Sequence, residues 1–340
     1  MESERCVIGV DLGGTNVRAQ ALFASGKPAG ERVQNPSLAQ SGTEKILDAV
    51  SLTIRQAMAS SQADVSSVGL AIPGHIDDAA GVVRWAPNFG EMVDGVFSYW
   101  QDVPMKSALV DRVKKPIVMA NDANAAAYGE YRFGSGKGNA RCLVLLTLGT
   151  GIGGGVVMAP TSVHGKATTP LLLLGGNLGG AELGHTLLLH NGLDCNAGSY
   201  GALEAYCQRD AIVRRATHAL RRGRKSVLTD LTEGDLGKVT PKLISEAANQ
   251  KDALAIEVWA ETGRMLGAGI GSMINIFAPD VFAIGGQISK AGHWLLEPAI
   301  ESARAVAIPS LFKDTKIQPA EQIDDAGLLG AAALALEVSE

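Results

Sequence analysis

The sequence predicts an α/β fold built as two similar units that face each other across a cleft. Three observations carry this reading. Short apolar runs of strand length alternate with longer stretches at helical spacing. The segment "CVIGVDLGGTNVRAQALF" (6–23), an apolar run, a glycine turn and a second run, returns in outline as "RCLVLLTLGTGIGGGVVM" (141–158), which points to a duplicated unit. Glycine supplies 41 of the 340 residues, an excess that implies tight turns and close backbone approaches of the kind phosphate-binding α/β proteins use.

The elements follow in order. Residues 6–23 read as strand, turn, strand, apolar without interruption before the turn and alternating after it. Stretch 42–60 places apolar residues at 46, 47, 50, 52, 54, 57 and 58, at helical spacing. "VSSVGLAIPG" (65–74) reads as a buried strand stopped by Pro-Gly, "MKSALVDRV" as a helix, "KPIVMAND" as a strand and "ANAAAYGEYRFG" as an alanine-rich helix, so the first 120 residues form a βββαβαβ series. After the second glycine-turn unit come helical stretches at 201–221, 240–251 and 252–277. A strand at 280–289 and a closing alanine-rich helix at 325–338 complete the chain.

Composition narrows the function classes. A net charge of −5 leaves no field that would favour nucleic acid, and the basic run "RRGRK" (221–225) reads as a solvated helix end. The four cysteines, Cys6, Cys142, Cys195 and Cys207, show no paired short spacing and imply no disulfide framework. The first residues, "MESERCVIGVDLGG", match neither a signal peptide nor an anchor. No apolar run approaches the roughly 20 residues a membrane span needs, so a cytoplasmic protein without membrane partners is expected.

The residues able to carry chemistry lie on turns. "DLGGTN" sets Asp11, Gly13, Gly14, Thr15 and Asn16 on a tight turn, where backbone N–H groups can approach an anion and a hydroxyl can add a donor. A plain hairpin would look the same, and no Lys-Ser/Thr follows as in a Walker loop. "LGTGIGGG" repeats the arrangement with Gly149, Thr150 and Gly151, and "AIGGQIS" adds Gly285 and Gly286 after a strand. Asn121 and Asp122 end a buried strand just before a helix, where α/β proteins bind ligands. A carboxylate there can take a proton from a hydroxyl nucleophile, and it can equally cap the helix. "GGAELGH" and "GALEAY" group Glu182, His185 and Glu204 among glycines, a set suited to sugar hydroxyls and also to a solvated loop.

Taken together and in order, "DLGGTNVR", "IPG", "APN", "NDANAAAYGE", "LTLGTGIGGG", "ELGH" and "FAPDVFAIGGQIS" resemble the ROK family of sugar kinases and repressors, within the hexokinase/actin-like ATPase superfamily. The resemblance spans essentially the whole chain. It implies two ribonuclease-H-like domains flanking a cleft: a small one over 1–120, joined by the C-terminal helix 325–340, and a large one over 121–324. With no helix-turn-helix ahead of Asp11, it favours the kinase branch. It implies an ATP- and Mg²⁺-dependent hexose kinase, with glucose ahead of N-acetylhexosamine, mannose or fructose, and a non-catalytic sugar sensor as the rival of another class. Carried over by residue, Asp122 is the catalytic base. Gly74, Asn88, Asn121, Glu182, His185 and Glu204 are sugar-site residues. Asp11 with Gly13–Asn16, and Gly149–Gly151, clamp the ATP phosphates, and Gly285 and Gly286 form the adenosine wall. A homodimer is also implied.

Two stretches depart from the family. Where the family has Cys-x-Cys-Gly-x-x-Gly-Cys-x-Glu after the histidine, and binds a structural zinc through His and three Cys, this chain reads Cys195-Asn196-Ala197-Gly198-Ser199-Tyr200-Gly201-Ala202-Leu203-Glu204. Only His185 and Cys195 of the four ligands remain, so no zinc is expected. The loop's shape is instead expected to rest on Gly198, Gly201 and the packing of Leu193, Tyr200 and Leu203. The stretch 158–180 is longer than usual in the family, as an extension beside the sugar site or a dimer contact.

Overall fold

The structure, a computed structural model, describes residues 4–159 and 170–338. The first glycine-turn unit is the antiparallel hairpin of β1 (Cys6–Leu12) and β2 (Asn16–Phe23), with β3 (Val33–Pro36) on its outer edge. After helix α1 (Thr43–Ala59), β4 (Val65–Ile72) enters parallel to β1. The chain then forms a separate antiparallel sheet of β5 (His75–Asp77), β6 (Val82–Val93) and β7 (Val96–Val103). It returns through α2 (Met105–Val113) to β8 (Ile117–Asn121), which pairs with β4 in parallel and leads into α3 (Asp122–Phe133). The main sheet has the order β3-β2-β1-β4-β8.

The second unit repeats this plan. β9 (Cys142–Leu148) and β10 (Ile152–Met158) form the hairpin, and β11 (Leu171–Leu172) lies on its edge. A helical region follows: α4 (Leu203–Cys207), α5 (Arg209–Arg221), α6 (Leu228–Leu231), α7 (Pro241–Asn249) and the long α8 (Ala253–Phe277). β12 (Val281–Gly285) then joins β9 in parallel, and after α9 (His293–Val306) and α10 (Pro309–Asp314), β13 (Lys316–Pro319) joins β12. The order β11-β10-β9-β12-β13 matches that of the first sheet strand for strand. The duplication read at two glycine turns thus extends to the whole topology.

β1 and β4 are apolar almost throughout because both faces are covered. Ile8, Val10 and Leu12 share a core with Ile46, Val50 and Ile54 of α1, while Val7 faces Leu328 and Ala332 of the last helix, α11 (Ala326–Val338). α11 reaches the sheet so closely that a Cβ on Gly9 would stand 2.2 Å from the Leu328 carbonyl oxygen, and one on Gly69 1.8 Å from that of Ala331. On its other side α11 crosses α3, where Gly129 meets Gly330 and a Cβ on Gly330 would come 1.8 Å from the Ala125 carbonyl oxygen. α3 in turn packs on the second sheet through Ala126 and Ala127 against Leu143, Leu145 and Val157.

Three differences from the sequence reading have physical causes. The series for the first 120 residues omitted β5–β7, because β6 is mostly exposed and bulged between Ala86 and Gly90, which breaks the period-2 pattern. The stretch 201–221 is two helices, since Gln208 takes an extended backbone (φ −72, ψ 165) that ends α4 and caps α5. Part of 158–180 lies outside the described residues; of the rest, Leu171–Leu172 form β11.

Substituting Gly330→Ala should destabilise the fold by about 3 kcal/mol or more, the upper end of overpacking costs, because backbone lies on the contact surface on both sides. Gly176→Ala, with nothing within 4 Å of the added carbon, should leave the unfolding midpoint within about 1 °C. Thermal unfolding of the two variants side by side tests this, and equal midpoints would refute it.

Candidate active site

The carboxyl ends of strands from both sheets open onto one cleft of about 570 Å³. Asp11 closes β1, Asn121 closes β8, Thr147 and Leu148 close β9, and Gly285 closes β12, all in its wall, the position at which parallel α/β sheets bind ligands. Asn88, Asp122, Gly149, Gly151, Glu182, His185, Glu204 and Gly286 line the same cleft. Asp11 and Gly286, 275 positions apart in the chain, therefore share one cleft.

The junction of β8 and α3 decides what Asp122 can do. Asn121, not Asp122, caps α3: its Oδ1 accepts from the Ala123 N–H at 2.9 Å and the Asn124 N–H at 3.2 Å. Its Nδ2 donates to the Gly74 carbonyl oxygen at 2.9 Å, which leaves one N–H for a ligand. Gly74 does not itself line the cleft. Its φ of +116 and the Trp85 carbonyl oxygen, 2.2 Å from where a Cβ would sit, restrict the position to glycine. Relieved of capping, Asp122 accepts through Oδ1 from the Ala123 N–H at 2.8 Å. Its pKa is pushed up to about 6, mainly by burial; the Ala123 N–H opposes the rise, and the negative charges of Asp11 and Glu182 add to it.

The turn of Asp11 to Asn16 behaves in two parts. Asp11 lies in the cleft wall, whereas Gly13, Gly14, Thr15 and Asn16 do not line it; the Gly13 N–H closes the turn on the Asn16 carbonyl oxygen at 2.9 Å, and Gly14 and Thr15 are exposed. Arg18, which the sequence reading did not single out, donates to Asp11 from the next strand and lines the cleft. It is the one lysine or arginine among the described lining residues, against the carboxylates of Asp11, Asp122, Glu130, Glu182, Glu204 and Asp324. Such a wall repels a polyphosphate unless a further cation enters with it. Glu130 is fully buried and accepts from the Ser135, Glu321 and Gln322 N–H groups, which ties the end of α3 to the strand leading into α11.

Beyond the Gly149–Gly151 turn lies a second cavity of about 760 Å³, and Gly149 and Gln287 line both. Its walls come from Thr150, Arg209, Pro241, Trp259, Ile288 and Lys290 among others, and the Trp259 indole N–H has no partner among the described residues. No motif announced this cavity, because its residues come from separated stretches of chain in α5, α7, α8, the Gly149–Thr150 turn and the turn after β12. The turn itself is tied to the first cleft: the Ile152 N–H donates to Glu204 Oε2 at 2.8 Å, and a side chain at Gly151 would meet that same oxygen at 2.6 Å.

The zinc that the family resemblance implies does not fit the residues present. Ala197 and Ala202 offer no donor, and Cys207 is turned away: its thiol contacts the Thr262 carbonyl oxygen at 3.6 Å, and burial pushes it up to about 12. Glu204 joins His185 and Cys195 in a group whose ligand atoms lie within 4.8 Å of one another. That makes three donors, one of them already engaged by Ile152, whereas a structural zinc takes four, mostly thiolates. The loop is held otherwise. Gly198 and Gly201 turn with positive φ as expected, but Leu193 and Tyr200 are half exposed rather than packed. The Cys195 N–H bonds the Ser199 carbonyl oxygen, the Gly201 N–H that of Leu193, and the Leu193 N–H the Tyr206 hydroxyl, each at 2.7 Å.

A family model described as the ROK family matches residues 7–338. A glucokinase from Thermotoga maritima is 35% identical over 331 residues, 97% of each chain. The crystal structure of a ROK family glucokinase from Streptomyces griseus, in complex with glucose and AMPPNP, shares 33% identity and a TM-score of 0.75, covering 98% of this chain and 99% of that one. A ROK hexokinase from Thermus thermophilus gives a TM-score of 0.78 at 30% identity, over 98% and 99% of the two chains.

The electrostatics of the cleft yield a direct test. Asp11→Asn removes a negative charge that raises the Asp122 pKa, so the Asp122 midpoint should fall from about 6, while burial keeps it above the ordinary carboxylate range. Titration of the side-chain carboxyl carbon by NMR measures this; an unchanged or raised midpoint would show that Asp11 does not act on Asp122.

Proposed function

The chain belongs to the ROK family, and on that premise we propose that it is an ATP-dependent hexokinase that converts glucose to glucose 6-phosphate. The observation that carries the reading is the release of Asp122 from helix capping by Asn121, at the floor of a cleft that both sheets line. Asp122 acts as general base for the sugar hydroxyl. A base with a pKa near 6 is largely deprotonated at neutral pH yet still basic enough to accept a proton. The Ala123 N–H fixes its orientation, and the remaining N–H of Asn121 positions the hydroxyl.

Asn88, Glu182, His185 and Glu204 bind the remaining sugar hydroxyls, and Gly74 acts through the carbonyl that holds Asn121. The phosphates of ATP lie along the Gly149–Gly151 turn, with the tip of 13–16 and Thr15 closing from the opposite unit. Gly285 and Gly286 form the wall toward the adenosine, which the second cavity accommodates, with Arg209 and Lys290 facing the nucleotide. Asp11 and the acidic wall around it are the residues that would hold Mg²⁺, which neutralises charge on the phosphates when bound. Arg18, poised on Asp11, adds a fixed positive charge. Closure of the small domain, 1–120 with 325–340, on the large one, 121–324, excludes water from the transfer. The protein works as a cytoplasmic homodimer on small molecules alone, without nucleic acid or membrane; among the described residues no helix is long and apolar enough to cross one.

Asp122→Asn should lower the turnover of glucose by roughly 10²–10⁴-fold, the range for loss of a general base, with sugar binding kept within a few fold. In the wild type, kcat/KM for glucose should fall below about pH 6 as Asp122 takes up its proton. A coupled assay with ATP, Mg²⁺ and a panel of hexoses reads both. Saturable sugar binding with no turnover of any hexose would favour a sugar sensor instead.

Gly149→Val should raise the KM for ATP far more than that for glucose. The nearest atom to the added Cβ is 4.0 Å away, so the variant folds, and its side chain stands in the wall between the two cavities. Steady-state kinetics on each substrate separate the two; an equal rise in both would place the nucleotide elsewhere.

A further inference from the structure

The loop that lacks two of the family's thiols keeps a polar chain in their place. Cys195 Sγ lies 3.5 Å from His185 Nδ1 and 3.7 Å from Glu204 Oε1, and both Cys195 and Glu204 are buried. The other oxygen of Glu204 accepts from the Ile152 N–H at 2.8 Å, on the glycine turn. The opposite ring nitrogen, His185 Nε2, lies 4.0 Å from Glu182 Oε2, beyond hydrogen-bond range, and donates or accepts in no hydrogen bond among the described residues.

We propose that the Cys195 thiol replaces the family's metal as the group that orients His185, and that this replacement reverses the hydrogen-bond polarity of His185 toward the sugar. The proton count sets the direction. A carboxylate oxygen has no proton to give, so at the Glu204 contact the thiol donates. A thiol carries one proton, so at the His185 contact the sulfur can only accept, and Nδ1 must carry the N–H. In the neutral ring this leaves Nε2 as a bare acceptor. A metal on Nδ1 does the opposite: it occupies that lone pair and leaves the proton on Nε2, which then donates. Here His185 accepts from a sugar hydroxyl, and the chain Ile152 N–H, Glu204, Cys195, His185 couples the sugar contact to the glycine turn. Cys195 is thus a positioning residue.

The inference rests on the sugar-contact reading of His185, and the test separates the two. Protein purified without a metal-affinity tag is analysed for zinc, and its imidazole nitrogens are read by long-range ¹H–¹⁵N NMR, with His185→Gln identifying the resonances. We expect far less than one zinc per chain and the Nδ1–H tautomer at His185. Cys195→Ser, whose hydroxyl can both donate and accept, should keep that tautomer and a glucose KM within about 3-fold of wild type. Cys195→Ala should lose the fixed tautomer and raise the glucose KM roughly 10-fold, the lower range for loss of a group that orients a functional histidine, with the KM for ATP unchanged. One tightly held zinc per chain, or an Nε2–H tautomer in the wild type, overturns the proposal. So does a folded Cys195→Ala with wild-type tautomer and glucose KM. If Cys195→Ala does not fold, the wild-type tautomer and zinc content still decide. A wild type that turns over no hexose would refute the kinase reading, while zinc content and tautomer judge the wiring independently.

Discussion

The contact between Gly129 of α3 and Gly330 of α11 holds the rest of the molecule in place. At this crossing two helices meet backbone to backbone, with no side chain between them. α11 lies on β1 and β4 of the first sheet, and α3 lies on β9 and β10 of the second, so the crossing sets the separation of the two sheets. Asp122 stands at the first turn of α3, and Gly327, at the start of α11, lies against the Asp11 carboxylate. The same pair of helices thereby holds Asp11, near the end of β1, and Asp122, just after β8, in one wall of the cleft. Glu130, at the far end of α3, accepts from the Ser135 N–H just past α3 and from the Glu321 and Gln322 N–H groups on the approach to α11. A carboxylate buried to that degree is tolerated because every partner is a backbone donor that would otherwise be unsatisfied.

From this frame follows the charge balance of the cleft. Six carboxylates line it with Arg18 as the lone fixed cation among the described residues, and burial raises Asp122 while Asp11 reinforces the rise. A wall of this kind suits a ligand rich in hydroxyl donors. It is hostile to phosphates that arrive without a cation, which matches a reaction in which the sugar is held by acids and the nucleotide by backbone turns. Gly149, whose backbone borders both cavities, marks where the two substrates would meet under the proposed reading.

The loop from His185 to Glu204 is held by contacts of its own rather than by a full set of metal donors. Backbone hydrogen bonds across Gly198 and Gly201 and the Tyr206 hydroxyl retain the loop's path. The residual thiol sits between a ring nitrogen and a carboxylate that is itself fastened to the glycine turn. Shape and polarity are separable properties of the site. The glycines maintain the first, and the identity of whatever occupies the space beside Nδ1 decides the second.

The α/β class, the duplication, the strands β1, β4, β9 and β12 and the cleft residues Asp11, Asn121, Asp122, Glu182, His185 and Glu204 were legible in the sequence. Each depends on a local signal: a continuous apolar run for a strand buried on both faces, a glycine where backbone turns sharply, an acid at a strand end. β5–β7 were not legible, because an exposed, bulged sheet has no period to read. Nor was the second cavity, whose residues share no stretch of chain. Whether Asp122 capped its helix or was free could not be read from "NDAN", since either of two adjacent polar residues can cap. Only the folded chain, by bringing the Gly74 carbonyl to Asn121 across 47 positions, oriented Asn121 to cap and released Asp122. The placement of Arg18 beside Asp11, and of Cys195 between His185 and Glu204, was decided in the same way. The sequence determines which chemical groups are available and what each can do alone, whereas the partners that select one of those roles come from distant segments and meet only in the tertiary structure.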